Sequence, residues 1–177
     1  MQYKGIEFSA IIATPGCGKS YLADRYDFIV DADEERLKNK YEIPKDITRE
    51  ELEKTKGDRT FLKTNRHFSD VEKKLDELYS QGKIIIGAPH PEMFDYFEKR
   101  SIKFCFVYPN KDMKMELDKR FHDRGNSEKF IKENFGMFEQ FYQQNIKDKR
   151  AVVHYQFGHG EYLKDILEKF GVSFDKN

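Results

Sequence analysis

Ala13-Thr14-Pro15-Gly16-Cys17-Gly18-Lys19-Ser20 follows an apolar, β-leaning segment, Ile6 to Ile12, and runs into the helix-compatible sequence Ser20-Tyr21-Leu22-Ala23-Asp24-Arg25. Strand, glycine-bearing turn, Gly-Lys-Ser and helix, in that order, make a cradle for phosphate. Gly16 and Gly18 let the backbone curl so that successive N–H groups point inward at an anion. The helix that follows adds its positive N-terminal end. Lys19 is placed to reach the outer phosphates of a nucleoside triphosphate, and the Ser20 hydroxyl to ligate Mg²⁺. Thr14, Pro15, Cys17 and Tyr21 complete the segment expected to surround the phosphates. Ala13 stands where the strict pattern has glycine, and alanine fits there if its φ stays negative. A glycine turn with a chance Gly-Lys-Ser is the plain alternative.

Further along, Tyr26 to Val30 reads as a second strand that ends at Asp31-Ala32-Asp33. Ligands of doubly wound α/β sheets bind beyond the carboxyl ends of the strands. Residues two apart on extended backbone face the same way, so both carboxylates can enter one crevice. One of them, Asp31 or Asp33, can organise Mg²⁺ while the other takes the proton of an attacking hydroxyl. Asp33 equally suits the N-cap of a helix over residues 34–40. Residues 41–82 are polar, with capping boxes at Thr48–Glu51 and Ser69–Glu72. Between these boxes Arg59 and Arg66 are candidates to fork onto a phosphate or carboxylate of an acceptor. His67 is read as structural or exposed.

Lys83 to Ala88 is the clearest buried strand, a β-branched run suited to the middle of a parallel sheet. It ends in Gly87-Ala88-Pro89-His90-Pro91, without a carboxylate, so metal organisation shifts to Asp31 and Asp33. Gly87 is expected to let a substrate approach the backbone. His90 is read as a loop histidine satisfied by solvent, with contact to the acceptor as the alternative. Ile102 to Tyr108 and Arg150 to Phe157 are the fourth and fifth strands. Arg120 and Arg124, four apart on one helix face, can converge on a transferring phosphate. Pairing of Arg120 with Glu116 or Asp123 is the competing reading. A long aromatic helix is expected over Ser127–Lys149 and a last one over Glu161–Phe170, and the Gly158-His159-Gly160 loop before the latter is placed to border adenine.

Lysine plus arginine equals aspartate plus glutamate, 32 against 32, so no global basic field favours nucleic acid. The two cysteines, Cys17 and Cys105, have no metal or disulfide spacing, which points to a reducing, cytoplasmic setting. No apolar run approaches the length of a membrane span. The 177 residues are expected to form one domain.

The chain resembles the small-molecule kinases of the P-loop superfamily, the branch of nucleoside monophosphate kinases and shikimate kinase. Residues 13–20 carry the resemblance most strongly, with Asp31-Ala32-Asp33 and the Arg120/Arg124 segment behind them. The Asp-x-Asp and the glycine-bearing, acid-free third strand look more like shikimate kinase than adenylate kinase. Against that, Gly-Ala-Pro-His replaces a run of glycines, and an Asp-Gly-Phe-Pro-Arg signature is missing. Small size and lysine- and aromatic-rich character also resemble phage-type nucleotide kinases. The resemblance implies a three-layer α/β sandwich around a five-stranded parallel sheet of order 2-3-1-4-5. It also implies a helical acceptor insertion over about 34–81 and a lid over about 111–127. ATP and Mg²⁺ would then serve a phosphotransfer to a nucleoside, nucleotide or other small acceptor, with Lys19, Asp31, Asp33, Arg120 and Arg124 catalytic. A polynucleotide end-kinase and a non-enzymatic nucleotide-binding module are the rival expectations.

Overall fold

In the computed structural model the described residues are 1–33, 44, 46–55 and 68–174. The expected helix over 34–40, Arg59, Arg66 and His67 lie outside them. Two short strands open the chain, β1 (Gln2–Tyr3) and β2 (Ile6–Glu7), paired antiparallel. Lys4 and Gly5 connect them with φ of 49° and 79°. Two positive φ values in a two-residue connection match the right-handed twist of a hairpin. The apolar segment read as one strand from Ile6 is therefore divided: Ile6 belongs to the hairpin, and the sheet strand β3 is Ala10–Ala13.

After β3 come α1 (Lys19–Arg25), β4 (Ile29–Asp31), α2 (Arg49–Lys54), α3 (Phe68–Ser80), β5 (Ile84–Gly87) and α4 (Pro91–Lys99). The second half holds β6 (Phe104–Pro109), a 3₁₀ turn at Lys111–Met113, α5 (Lys114–Asp123), α6 (Glu128–Asn145), β7 (Val153–Phe157) and α7 (Leu163–Lys169). Five strands form an all-parallel sheet in the order β4-β5-β3-β6-β7. Numbered without the hairpin strands, this is 2-3-1-4-5.

Alternation along the strands builds the layers. Ile11, Ala13, Ile86, Cys105 and Val107 enter one core with Leu22, Leu117, Phe121, Ile131, Leu163 and Ile166. Ala10, Ile12, Ile85, Phe104 and Phe106 enter the other with Leu75, Phe94 and Phe97. Helices α1, α5, α6 and α7 thus cover one face, and α3 and α4 the other. On the second face Phe94 meets Phe104 and Phe106 edge-on at 5.6 and 5.9 Å, the arrangement that ring quadrupoles favour. Arg100, following α4, bonds Asp76 and Glu72 of α3 and ties the two helices together.

Local signals account for the helix starts. Thr48 Oγ1 accepts from Glu51 N at 3.2 Å while Glu51 Oε2 accepts from Thr48 N at 2.8 Å, the reciprocal box expected there. Ser127 Oγ accepts from Phe130 N at 3.3 Å and begins α6. Pro91 opens α4, where a missing N–H costs nothing. Among the described residues no helix is long and apolar enough to cross a membrane.

Candidate functional site

Three strand ends define the crevice. β3 stops at Ala13, β4 at Asp31 and β5 at Gly87, all at their carboxyl ends in one parallel sheet. Thr14 N still bonds Val107 O of β6 at 3.2 Å, so the loop leaves the sheet just after Thr14. Gly16 at φ 84° and Gly18 at φ 101° then turn the backbone in the left-handed region that glycine tolerates. Gly18 is the N-cap of α1, with no side chain bonded to the first amides.

Lys19 is buried, and its ammonium donates to the carbonyls of Ala13 at 2.8 Å and Thr14 at 3.2 Å. Among the described residues no carboxylate is bonded to it, and the partners of the ammonium are these two carbonyl dipoles. Thr14 Oγ1 is a buried hydroxyl with no hydrogen-bond partner among the described residues. Buried hydroxyls are normally satisfied, so this one is a donor and acceptor in reserve. Cys17 is fully buried; burial pushes its thiol up, against the charge and N–H of Lys19. That makes the thiol a packing group.

Ser20 Oγ donates to Asp31 Oδ2 at 2.7 Å, and Asp31 Oδ1 accepts the N–H of Asp33 at 3.0 Å. Asp31 is only 3% exposed. Because β5 lies between β3 and β4, this carboxylate meets the loop serine across the end of β5, which carries glycine and alanine there. The side chain of Asp33 stands beside His90, with Oδ1 3.7 Å from Nε2. His90 keeps the solvent exposure that the sequence reading gave it and stands at the mouth of the crevice beside Asp33.

Gly87 also serves the packing of the sheet. A Cβ there would lie 2.7 Å from Met93 Cε, so the space above it is filled by α4. Its lack of a side chain lets that helix pack on β5. Tyr21 faces outward, 52% exposed under the Arg25 guanidinium at 3.8 Å, and is not gathered into the loop.

Arg120 is buried and fully engaged. Its guanidinium bonds Glu116 Oε1, the Gly16 carbonyl at 3.2 Å and the Glu161 carbonyl at 3.1 Å, and lies over the Tyr162 ring at 3.9 Å. The competing reading, in which Arg120 pairs with Glu116, describes its position. Met113, Leu117 and Phe121 sink into the same core, so residues 111–124 are packed on the loop. Arg124 is partly buried, with its charge felt at the Cys17 thiol.

Glu116 is a hydrogen-bond hub that the sequence reading named only as a partner for Arg120. It accepts from His159 Nδ1 at 2.7 Å and from Gly160 N at 3.1 Å as well as from Arg120. Partial burial pushes its carboxyl up, but the bonds from His159, Arg120 and Gly160 outweigh this and hold it at about 2. The i, i+4 spacing to Arg120 was the available signal; the partners on the Gly158-His159-Gly160 loop were not legible.

Chemically, the crevice joins a curled amide loop, a cation without a carboxylate partner, a reserve hydroxyl, and a hydroxyl–carboxylate pair. That set suits a polyanion accompanied by a hard divalent cation, for which oxygen donors are the ligands. Among the described residues no three His, Cys, Asp or Glu side chains converge on a metal position, and Ser20 with Asp31 is the hydroxyl–carboxylate pair in contact at the loop. The chain matches no protein-family model, and no curated protein is similar to it in sequence.

Proposed function

We propose that this protein is an ATP- and Mg²⁺-dependent phosphotransferase of the P-loop kinase type, acting on a small acceptor such as a nucleoside or nucleotide. The observation that carries the reading is the Ser20–Asp31 hydrogen bond at 2.7 Å beneath the glycine-turned loop. A loop hydroxyl and a buried strand-end carboxylate in contact are the donor pair that a phosphate-bound Mg²⁺ needs. Bound Mg-ATP supplies the phosphoryl group and neutralises its developing charge. Lys19, released from the Ala13 and Thr14 carbonyls, reaches the outer phosphates, and the loop amides hold the others. Thr14 Oγ1 gains the partner it lacks. Arg120 holds the Gly16 carbonyl from behind, which leaves the neighbouring amides turned toward the anion, and Arg124 adds positive potential. Catalysis of this kind is positioning and electrostatics.

The test is a transfer assay with γ-labelled ATP across nucleosides, mononucleotides, small alcohols and 5′-hydroxyl oligonucleotides. Label is expected on at least one small acceptor, and Lys19→Ala is expected to lower turnover by about 10²-fold or more. Mg-ATP binding without transfer to any acceptor sinks the reading, as does undiminished turnover in a folded Lys19→Ala protein.

A further inference from the structure

We infer that the acceptor is a neutral hydroxyl compound, a nucleoside-like alcohol rather than a phosphate monoester, and that His90 is its catalytic base, oriented by Asp33. This rests on the phosphotransferase reading and narrows it. Asp31 is already committed: Oδ2 accepts from Ser20 and Oδ1 from Asp33 N, and the residue is almost wholly buried. Both oxygens of this carboxylate are held by the protein, and its burial turns it toward Ser20 and the metal position rather than toward the open crevice. Next outward stand Asp33, 31% exposed, and His90, 48% exposed, with Oδ1 and Nε2 3.7 Å apart. Ser20, Asp31, Asp33 and His90 therefore form one file, leading from the phosphate loop to an accessible imidazole.

The elements fix this placement. Asp31 pairs in register with Ile86, and Ala32 N bonds Ile86 O at 2.8 Å, so the end of β4 lies against β5. His90 is the third residue after β5 and the N-cap of α4, its carbonyl accepting from Met93 N at 3.0 Å. Among the described residues, Asp33 is the charged group facing His90 from a neighbouring element, with Asp31 behind it; Glu92 follows on its own helix.

The chemistry of the pair discriminates between acceptors. A phosphate monoester oxygen is ionised and needs no base, and two carboxylates at the crevice oppose a second anion there. A hydroxyl must lose a proton as it attacks, and an imidazole backed by a carboxylate is suited to take it. With Asp33 on the Nε2 side at 3.7 Å, an ion-pair rather than a hydrogen-bond distance, the Nδ1 lone pair is the one that receives that proton. The acceptor oxygen forms a bond to the γ-phosphorus, the bond from γ-phosphorus to the β,γ-bridging oxygen breaks, and its electron pair leaves with ADP. The imidazolium is then stabilised by Asp33.

The experiment compares nucleosides and small polyols with mononucleotides as acceptors for the whole protein, using γ-labelled ATP. Transfer to the alcohols is expected, with mononucleotides at least about tenfold poorer. His90→Gln is expected to lower kcat about 10²-fold, the scale of a positioned base, with unchanged KM for ATP. The acid-side fall of the wild-type kcat–pH profile should vanish in that variant. Asp33→Asn should lower kcat and keep Mg-ATP binding, which also reports that the protein is folded. Transfer to phosphate monoesters alone, or His90→Gln with wild-type kcat and pH profile, overturns the inference and leaves the kinase reading standing. Transfer to no acceptor overturns both.

Discussion

At the scale of single residues the loop is held by contacts that leave little freedom. Gly16 combines φ 84° with a neighbour so close that an added Cβ would sit 2.9 Å from Leu117 Cδ2 and 3.3 Å from Phe121 Cε1. Gly16→Ala therefore meets left-handed backbone strain and a clash with the core at once. We expect a loss of about 2–4 kcal/mol of stability in urea unfolding, together with weakened nucleotide binding. A variant as stable as wild type would show that α5 is not seated against the loop. Gly18 is the useful contrast: its φ of 101° carries similar strain, but the nearest atom to an added Cβ is Tyr162 Cδ1 at 3.7 Å. The two glycines look alike in the sequence, and only packing separates them. Lys19, Ser20 and Asp31 were legible because spacing and strand ends constrain them. For His90 contact with the acceptor was only the alternative, because nothing in a single sequence states how far a loop histidine stands from the end of another strand.

At the scale of elements, α5 is where sequence and structure part most clearly. The stripe of Met113, Leu117 and Phe121 was legible from its period, and it is buried as that period requires. Arg120 lies on the same helix and its basic head suggests a free arm, yet its neighbours come from residues 16 and 161–162, far along the chain. Such contacts cannot be seen in local pattern. The resulting clamp has a pH dependence. Glu116 ionises in the folded protein at about 2, below the 4.5 of a free side chain. A depressed carboxylate contributes stability that is present above the unfolded value and is lost as pH falls through the folded one. Melting temperatures followed from pH 6 to pH 2 should therefore fall more steeply for wild type than for Glu116→Gln, most of the difference arising below about pH 4.5. Parallel curves would mean that the His159, Arg120 and Gly160 bonds do not favour the charged form. The short elements at the edges were read less well: β4 begins at Ile29 and β7 at Val153, each three residues later than the apolar run suggests. Tyr26 N bonds Leu22 O and Ile29 N bonds Tyr26 O, so the residues between are spent on leaving α1.

For the molecule as a whole, the parallel sheet and its two covered faces were legible from β-branched runs separated by helical segments. The opening hairpin was not, although Lys4-Gly5 is a fair turn signal; the run after it was too apolar to be divided on paper. What the strand order implies for synthesis is a different matter. Ser20 and Asp31 lie within one short span of chain, yet β3 and β4 share no ladder, and each is bonded only through β5 on that side. In the finished sheet the strands that carry the pair are joined through residues 84–87, which are made after both segments, while α1 also packs directly on β4. During translation at roughly 5–20 residues per second, that is a delay of some seconds in which the loop exists without the strand that joins it to its carboxylate. A ribosome-held chain stopped short of residue 84 should fail to retain a labelled ATP analogue that chains carrying all five strands retain. In the growing polypeptide the proposed nucleotide site waits on the third sheet strand to be made, which brings no functional side chain of its own.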